Sequence, residues 1–285
     1  MLNSARPSRR STHRVPWCTV LAVALGLGAA TSLVSCSSSS ETSSSSDAPQ
    51  AHILTAEVLA AHPWDKSSFT QGLEVAPDGS LLVGTGMYSQ SRIYRTTLDN
   101  KQSQNHNLPA EFFGEGIALH GDHVWQLTWK EHTAIKRKAS DLSEIDRVEY
   151  PTEGWGLCSD GQRLVMSDGT STLYFRDPDT FEELGRVDVT LHGDPLPKLN
   201  ELDCSSDGSV WANVWQRDDI VRIDPDTGEV KDVVDLAGML PAQEDRGADV
   251  LNGIASIPGT SATERKFYVT GKYWDELYEV QFKDK

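Results

Sequence analysis

The 285-residue sequence carries 26 Lys and Arg against 42 Asp and Glu, a formal net charge of -16. A balance that acidic excludes nucleic-acid binding and a polybasic grip on anionic lipid, because both need clustered positive charge. It favours cationic or amine-bearing partners.

The chain opens with a leader, residues 1–35. Arg6, Arg9, Arg10 and Arg14 form a basic start without an acidic residue, and Val15 to Ala30 is an apolar run. The run has signal-peptide length and is too short for an ordinary membrane span. No apolar pair closely follows Arg9-Arg10, so the general export route is expected over the twin-arginine one. The leader ends in Leu33-Val34-Ser35-Cys36, which resembles the bacterial lipobox, and Ser37–Ser46 follow as a low-complexity tether. That resemblance implies that Cys36 becomes the acylated first residue of the mature chain. Residues 36–51 are then the lipidated Cys and its tether, and the protein is extracytoplasmic, anchored to the bacterial cell membrane. The other reading is an ordinary signal peptide with a chance Cys. Removing the four leader arginines takes 26 basic residues to 22 against 42 acidic, a charge of -20.

Residues 52–285 read as one globular unit, all-β, with no sustained helical apolar period. Short alternating runs follow in order: ILTAEVLAA (53–61), SLLVGTG, SRIYRT, DHVWQLTW, AIKRK, QRLVMSD, TLYFRD, SVWANVW, IVRIDP, KFYVTGK and ELYEVQF. Gly, Asp, Asn and Pro turns separate them. Five related entrances punctuate the series: FTQGLEV, FFGEGIAL, EGWGLCS, LNELDCS and LNGIAS. They align Gly72, Gly116, Gly156, Glu201 and Gly253 at spacings of 44, 40, 45 and 52. Asp177-Pro178-Asp179-Thr180 and Asp224-Pro225-Asp226-Thr227 read as turns feeding a fourth strand. Four short strands per about 40–50 residues, five times over, predict a five-bladed β-propeller. A β-sandwich is the alternative, and five in-phase repeats speak against it. The last repeat holds three strands, so ILTAEVLAA is expected to join it and close the ring.

In a propeller the first strands line the central channel, so the entrances converge. Glycine lets the backbone pass at a crowded axis. The residues just ahead of the shared position are Gln71, Glu115, Trp155, Asn200 and Asn252, with Glu153 and Glu201 beside them. Eight tryptophans are present, and Trp64, Trp129, Trp155, Trp215 and Trp274 flank these turns. Aromatic packing between blades accounts for one or two of them. A cavity of indoles with convergent polar groups is the form of a small-ligand site. Lys272 in TGKYW reaches the same end, or is a solvated turn lysine.

Cys18 leaves with the leader. Cys158 and Cys204 lie two and three residues after the shared position in successive repeats, which outside the cytoplasm suggests a disulfide, with two buried thiols as the alternative. No CxxC or HExxH spacing occurs, and eight histidines are scattered, so neither metal nor cofactor is expected.

FTQGL, FGEGI, LTWK, EGWGL, LNELD, WANVW, LNGIA and TGKYW, in that order, resemble the plant-type glutaminyl-peptide cyclotransferases, from about Phe69 to Phe282. The zinc-dependent animal-type cyclase is a different fold. The resemblance implies a five-bladed propeller that turns the N-terminal glutaminyl residue of peptides or proteins into pyroglutamate and releases ammonia. It implies Glu115 as the acid/base group. Phe69, Gln71, Phe113, Trp129, Trp155, Asn200, Trp215 and Lys272 match residues of the substrate pocket. Asp203 stands where the family often has Glu. A monomer is expected, because a closed propeller leaves no free edge. Two rival readings stay open: a non-catalytic lipid-anchored binding propeller, and a metal-dependent propeller lactonase or hydrolase using Glu115, Asn200 and Asn252.

Overall fold

The computed structural model describes residues 50–238 and 247–285. The leader, Cys36 and the tether lie outside the described residues, apart from Gln50 and Ala51. The chain is all-β, with a single short 3-10 turn, Ala262–Glu264, among the described residues.

The segment expected to close the ring is a long strand, β1 (His52–Pro63). Three four-stranded antiparallel sheets follow. The first holds β2 (Thr70–Val75), β3 (Leu81–Thr85), β4 (Arg92–Thr96) and β5 (Ser103–Asn107). The second holds β6 (Gly114–His120), β7 (His123–Thr128), β8 (Thr133–Lys138) and β9 (Glu144–Glu149). The third holds β10 (Leu157–Ser159), β11 (Leu164–Ser167), β12 (Thr172–Arg176) and β13 (Glu183–Asp188). A small hairpin, β14 (Thr190–Leu191) and β15 (Asp194–Pro195), precedes β16 (Leu199–Cys204), β17 (Val210–Val214), β18 (Asp219–Ile223) and β19 (Val230–Asp235). The last strands are β20 (Leu251–Ser256), β21 (Lys266–Gly271) and β22 (Glu276–Asp284).

Strand β1 runs antiparallel to β22, pairing Leu54 with Asp284 and Pro63 with Glu276. Its first residues also pair in parallel with β19, His52 to Asp232 through Thr55 to Asp235. This second pairing was not expected. It joins the last two groups of four into one eight-stranded sheet, ordered β16-β17-β18-β19-β1-β22-β21-β20.

The first strands of the five groups touch in a closed cycle: β2 against β6 and β20, β10 against β6 and β16, and β16 against β20. The entrance glycines make this approach possible. A Cβ on Gly116 would lie 2.6 Å from the Trp155 carbonyl oxygen, and one on Gly156 would lie 2.0 Å from that of Asn200. The second strands behind them are wholly buried, as LLVGT and HVWQLT show. Large aromatics fill the spaces between groups. Trp125 packs against Phe181 at 4.8 Å, and Trp211 against Phe267 and Phe282 at 5.1 and 5.3 Å. Both DPDT turns form as expected, with Asp177 Oδ1 accepting from the N–H groups of Asp179 and Thr180 and Asp224 Oδ1 from those of Asp226 and Thr227.

Cys158 on β10 and Cys204 on β16 are joined by a disulfide across neighbouring first strands, 46 residues apart in sequence. A loop of that length confines the unfolded chain by about 4 kcal/mol in the chain-entropy picture.

Candidate active site

The side chains just ahead of the shared position divide between a cavity and the packed interior of the first strands. A cavity of about 380 Å³ is lined by Phe69, Gln71, Phe113, Glu115, Trp129, Trp155, Asn200, Trp215 and Lys272. All the pocket residues named from the sequence therefore share one space. Gln216, Asp249 and Val250 line it too, and sequence reasoning missed them. Gln216 directly follows Trp215, which was the available signal. Asp249 and Val250 lie in the loop before LNGIA, where no pattern marks them.

Asn252 and Glu201 do not line the cavity. The Asn252 side chain is turned onto β2, and the Glu201 carboxyl group accepts hydrogen bonds from the N–H groups of Leu73 and Ile254 at 3.0 and 2.8 Å. The tryptophans also divide. Trp129, Trp155 and Trp215 are cavity walls. Trp64 and Trp274, which the sequence placed beside the turns, are buried packing residues. The Trp274 Nε1 donates to the Asp249 carbonyl oxygen at 2.9 Å.

Glu115 is only 4 % exposed. Burial pushes its carboxyl well above the ordinary range; Lys272 opposes the shift, while Glu131 and Glu153 add to it. Its Oε1 accepts a hydrogen bond from Gln71 Nε2 at 3.1 Å. Lys272 is buried as well, so the solvated-turn reading does not hold. Burial lowers its ammonium pKa, against the pull of Glu115 and Asp249. Its Nζ sits 4.7 Å from the centre of the Phe69 ring, a cation–π contact that offsets part of the lost hydration.

The walls hold one another edge to face. Phe69 meets Phe113 at 6.0 Å, Phe113 meets Trp129 at 5.5 Å, and Trp155 meets Trp215 at 5.5 Å. Glu153 Oε2 ties two of the walls, accepting from Trp129 Nε1 at 2.8 Å and from Trp155 Nε1 at 3.1 Å. Glu131 braces a third: its Oε2 accepts from the N–H of Phe113 at 3.2 Å and its Oε1 from the hydroxyl of Tyr88 at 2.9 Å. Among the described residues no three His, Cys, Asp or Glu side chains come together in a metal-holding group.

The arrangement defines a class: an all-β scaffold whose clustered first strands present one aromatic cavity floored by a buried acid and a buried amine. The sequence model of the glutamine cyclotransferase family matches residues 29–282. The chain belongs to that family. It is 35% identical to the glutaminyl-peptide cyclotransferase of Arabidopsis thaliana over 288 residues, 99% of this chain and 88% of the relative. It is similar to the crystal structure of Myxococcus xanthus glutaminyl cyclase, with a TM-score of 0.75 and 33% identity over 82% of this chain and 98% of that one.

Proposed function

We propose that this protein is a glutaminyl-peptide cyclotransferase whose reaction runs in the aromatic cavity with Glu115 as proton shuttle. The observation that carries the reading is the buried, protonation-prone Glu115 carboxyl set among aromatic walls. The names of the Arabidopsis and Myxococcus relatives support the reaction.

In the reaction the α-amine of an N-terminal Gln attacks the carbon of its own side-chain carboxamide. A C–N bond forms to the amine, and the C–N bond to the carboxamide nitrogen breaks. The amine loses a proton and the departing nitrogen gains one, leaving as ammonia. One carboxylate between the two nitrogens serves both steps, as base and then as acid. The step is intramolecular, so walls that hold the substrate in its cyclising pose supply much of the acceleration. Asn200, Gln71 and Lys272 are the groups for the carbonyl oxygen as negative charge develops on it.

The fold under this reading is a five-bladed β-propeller, with β1 as the outer strand of the last blade. The closed cycle of β2, β6, β10, β16 and β20 supports it.

The metal-hydrolase alternative loses support from Asn252, which does not line the cavity that holds Glu115 and Asn200. The deciding assay is ammonia release from a Gln-initiated dipeptide, with and without a chelator. Release unchanged by chelator is expected. No release favours a binding protein, and release abolished by chelator favours a metal enzyme.

The proposal extends to location. The basic start, the apolar run and the Leu33-Val34-Ser35-Cys36 sequence support a lipoprotein held outside the cytoplasm by Cys36, with the catalytic domain beginning near residue 52. Cys36→Ser is expected to move the protein from the membrane fraction to the soluble one and to block incorporation of labelled palmitate. Unchanged fractionation and labelling would overturn the anchor.

A further inference from the structure

Asn252 holds the entrance position of the fifth repeat yet takes no part in lining the cavity. It is fully buried on β20. Its Nδ2 donates to the backbone carbonyl of Thr70 at 3.0 Å and to Gln71 Oε1 at 3.2 Å. Gln71 Nε2 in turn donates to Glu115 Oε1 at 3.1 Å. The polarity of this chain is set from one end. A backbone carbonyl only accepts, so the Asn252 group facing Thr70 is its NH2. The second N–H of that group needs an acceptor, so Gln71 turns its oxygen toward Asn252. The Gln71 NH2 then has to point at Glu115.

We propose that Asn252 is a positioning residue for the cyclisation, acting through Gln71 to hold an N–H donor on Glu115 Oε1 and leave Oε2 to carry the proton. A neutral carboxyl accepts best through its carbonyl oxygen, so a fixed donor selects which oxygen is protonated. The same donor steadies the carboxylate once the proton has left. Without Asn252 the Gln71 amide is free to turn over and set its own oxygen against Glu115. That arrangement suits only the protonated acid and hinders it as a base. The five equivalent entrance positions thus split their work: Trp155 is a wall, Asn200 and Gln71 are polar lining, Glu115 is the acid, and Asn252 keys the orientation of Gln71.

The inference rests on Glu115 as shuttle, and its test separates the two. Asn252→Ala and Gln71→Ala are measured singly and together against the Gln-initiated dipeptide. Asn252→Ala is expected to lower kcat by about 10-fold or more with little change in KM. It also moves the acidic limb of the kcat–pH profile upward, because the carboxylate loses a donor while Lys272, Glu131 and Glu153 still act on it. The double variant is expected to be no slower than Gln71→Ala alone, since the two residues act in series. A merely structural role for Asn252 lowers melting temperature, leaves the pH profile in place and adds to the Gln71 loss.

A folded Asn252→Ala enzyme with kcat and pH profile like the unsubstituted protein, or an additive double variant, overturns the proposal. Exchange of the Gln71 side-chain amide, followed by NMR in the unsubstituted protein, gives a reading that needs no variant. Protection is expected, and exchange at the rate of a free amide overturns the proposal. If Glu115→Gln stays active, the shuttle reading fails. If Glu115→Gln is inactive and Asn252→Ala is normal, only the role of Asn252 falls.

Discussion

Replacing Glu115 by Gln is expected to leave the protein folded and to cut ammonia release from a Gln-initiated dipeptide by about 10³-fold, the scale of a lost acid–base group. The fold is spared for a physical reason. Gln has the same shape, and its side-chain oxygen still accepts from Gln71 Nε2, the bond that Glu115 Oε1 makes now. Burial already favours the neutral acid at this position, so a neutral amide replaces it without a new buried charge, and Asp249 still acts on Lys272. What disappears under the proposed mechanism is the group that would take a proton from the α-amine and return it to the leaving nitrogen. The pH dependence carries the same signature. Burial holds the Glu115 proton to higher pH than an ordinary carboxyl, and the carboxylate is the form that acts as base. Activity of the unsubstituted protein therefore rises as pH rises through that elevated value, and the residual activity of Glu115→Gln lacks the rise. Turnover within tenfold of the parent, with its pH limb intact, would remove Glu115 from the proton path.

How far the sequence reached depends on which strands face water. The first and second strands are buried and carry clear apolar runs, so VWQLT and VWANV were legible, as was the placing of Trp129 and Trp215 beside the entrance turns. The outer strands β5, β9 and β13 (SQNHN, EIDRVE, ELGRVD) are mostly exposed or half-buried along their length. Solvent leaves no alternation to read, and only the turns ahead of them signal their presence. The hairpin at Thr190–Pro195 is too short to carry a period. The parallel pairing of His52–Thr55 with β19 is a long-range choice made by the edge left open there. In the site, side chains on first strands could be placed from the repeat. Asp249 and Val250 come from a loop whose path the repeat does not determine. The sequence placed Glu153 beside the entrance but could not show that it bridges Trp129 and Trp155, because that depends on two indoles turning their N–H edges the same way.

Glu201 is the second residue with a large expected effect, and this time on stability. It stands where four of the repeats have glycine, which close backbone contacts explain for Gly72, Gly116 and Gly156 and a φ of +126° for Gly253. Its buried carboxyl accepts the N–H of Leu73 on β2 and of Ile254 on β20. One side chain from β16 thus caps donors on two other first strands, including one that is not its neighbour in the cycle. Glu201→Ala leaves both N–H groups buried without a partner, at about 1–3 kcal/mol each. The melting temperature is expected to fall by roughly 10 °C for a domain of this size. Glu201→Gly restores the repeat consensus yet loses the same two acceptors, so it is expected to be no better. The pH dependence reports the protonation state in which Glu201 makes these contacts. Burial raises the Glu201 pKa well above the ordinary value against the two N–H donors, with Asp203 and Glu74 adding to the rise. A raised pKa means the folded state keeps a proton that the unfolded state releases. The contribution of Glu201 is then full below the ordinary carboxyl range and lost as pH climbs toward the elevated value. The gap in melting temperature between Glu201→Ala and the parent is therefore expected to be widest in acid and to narrow in alkali. Melting curves across that pH range decide the matter, and a gap that widens with pH would show that Glu201 is buried as a charge.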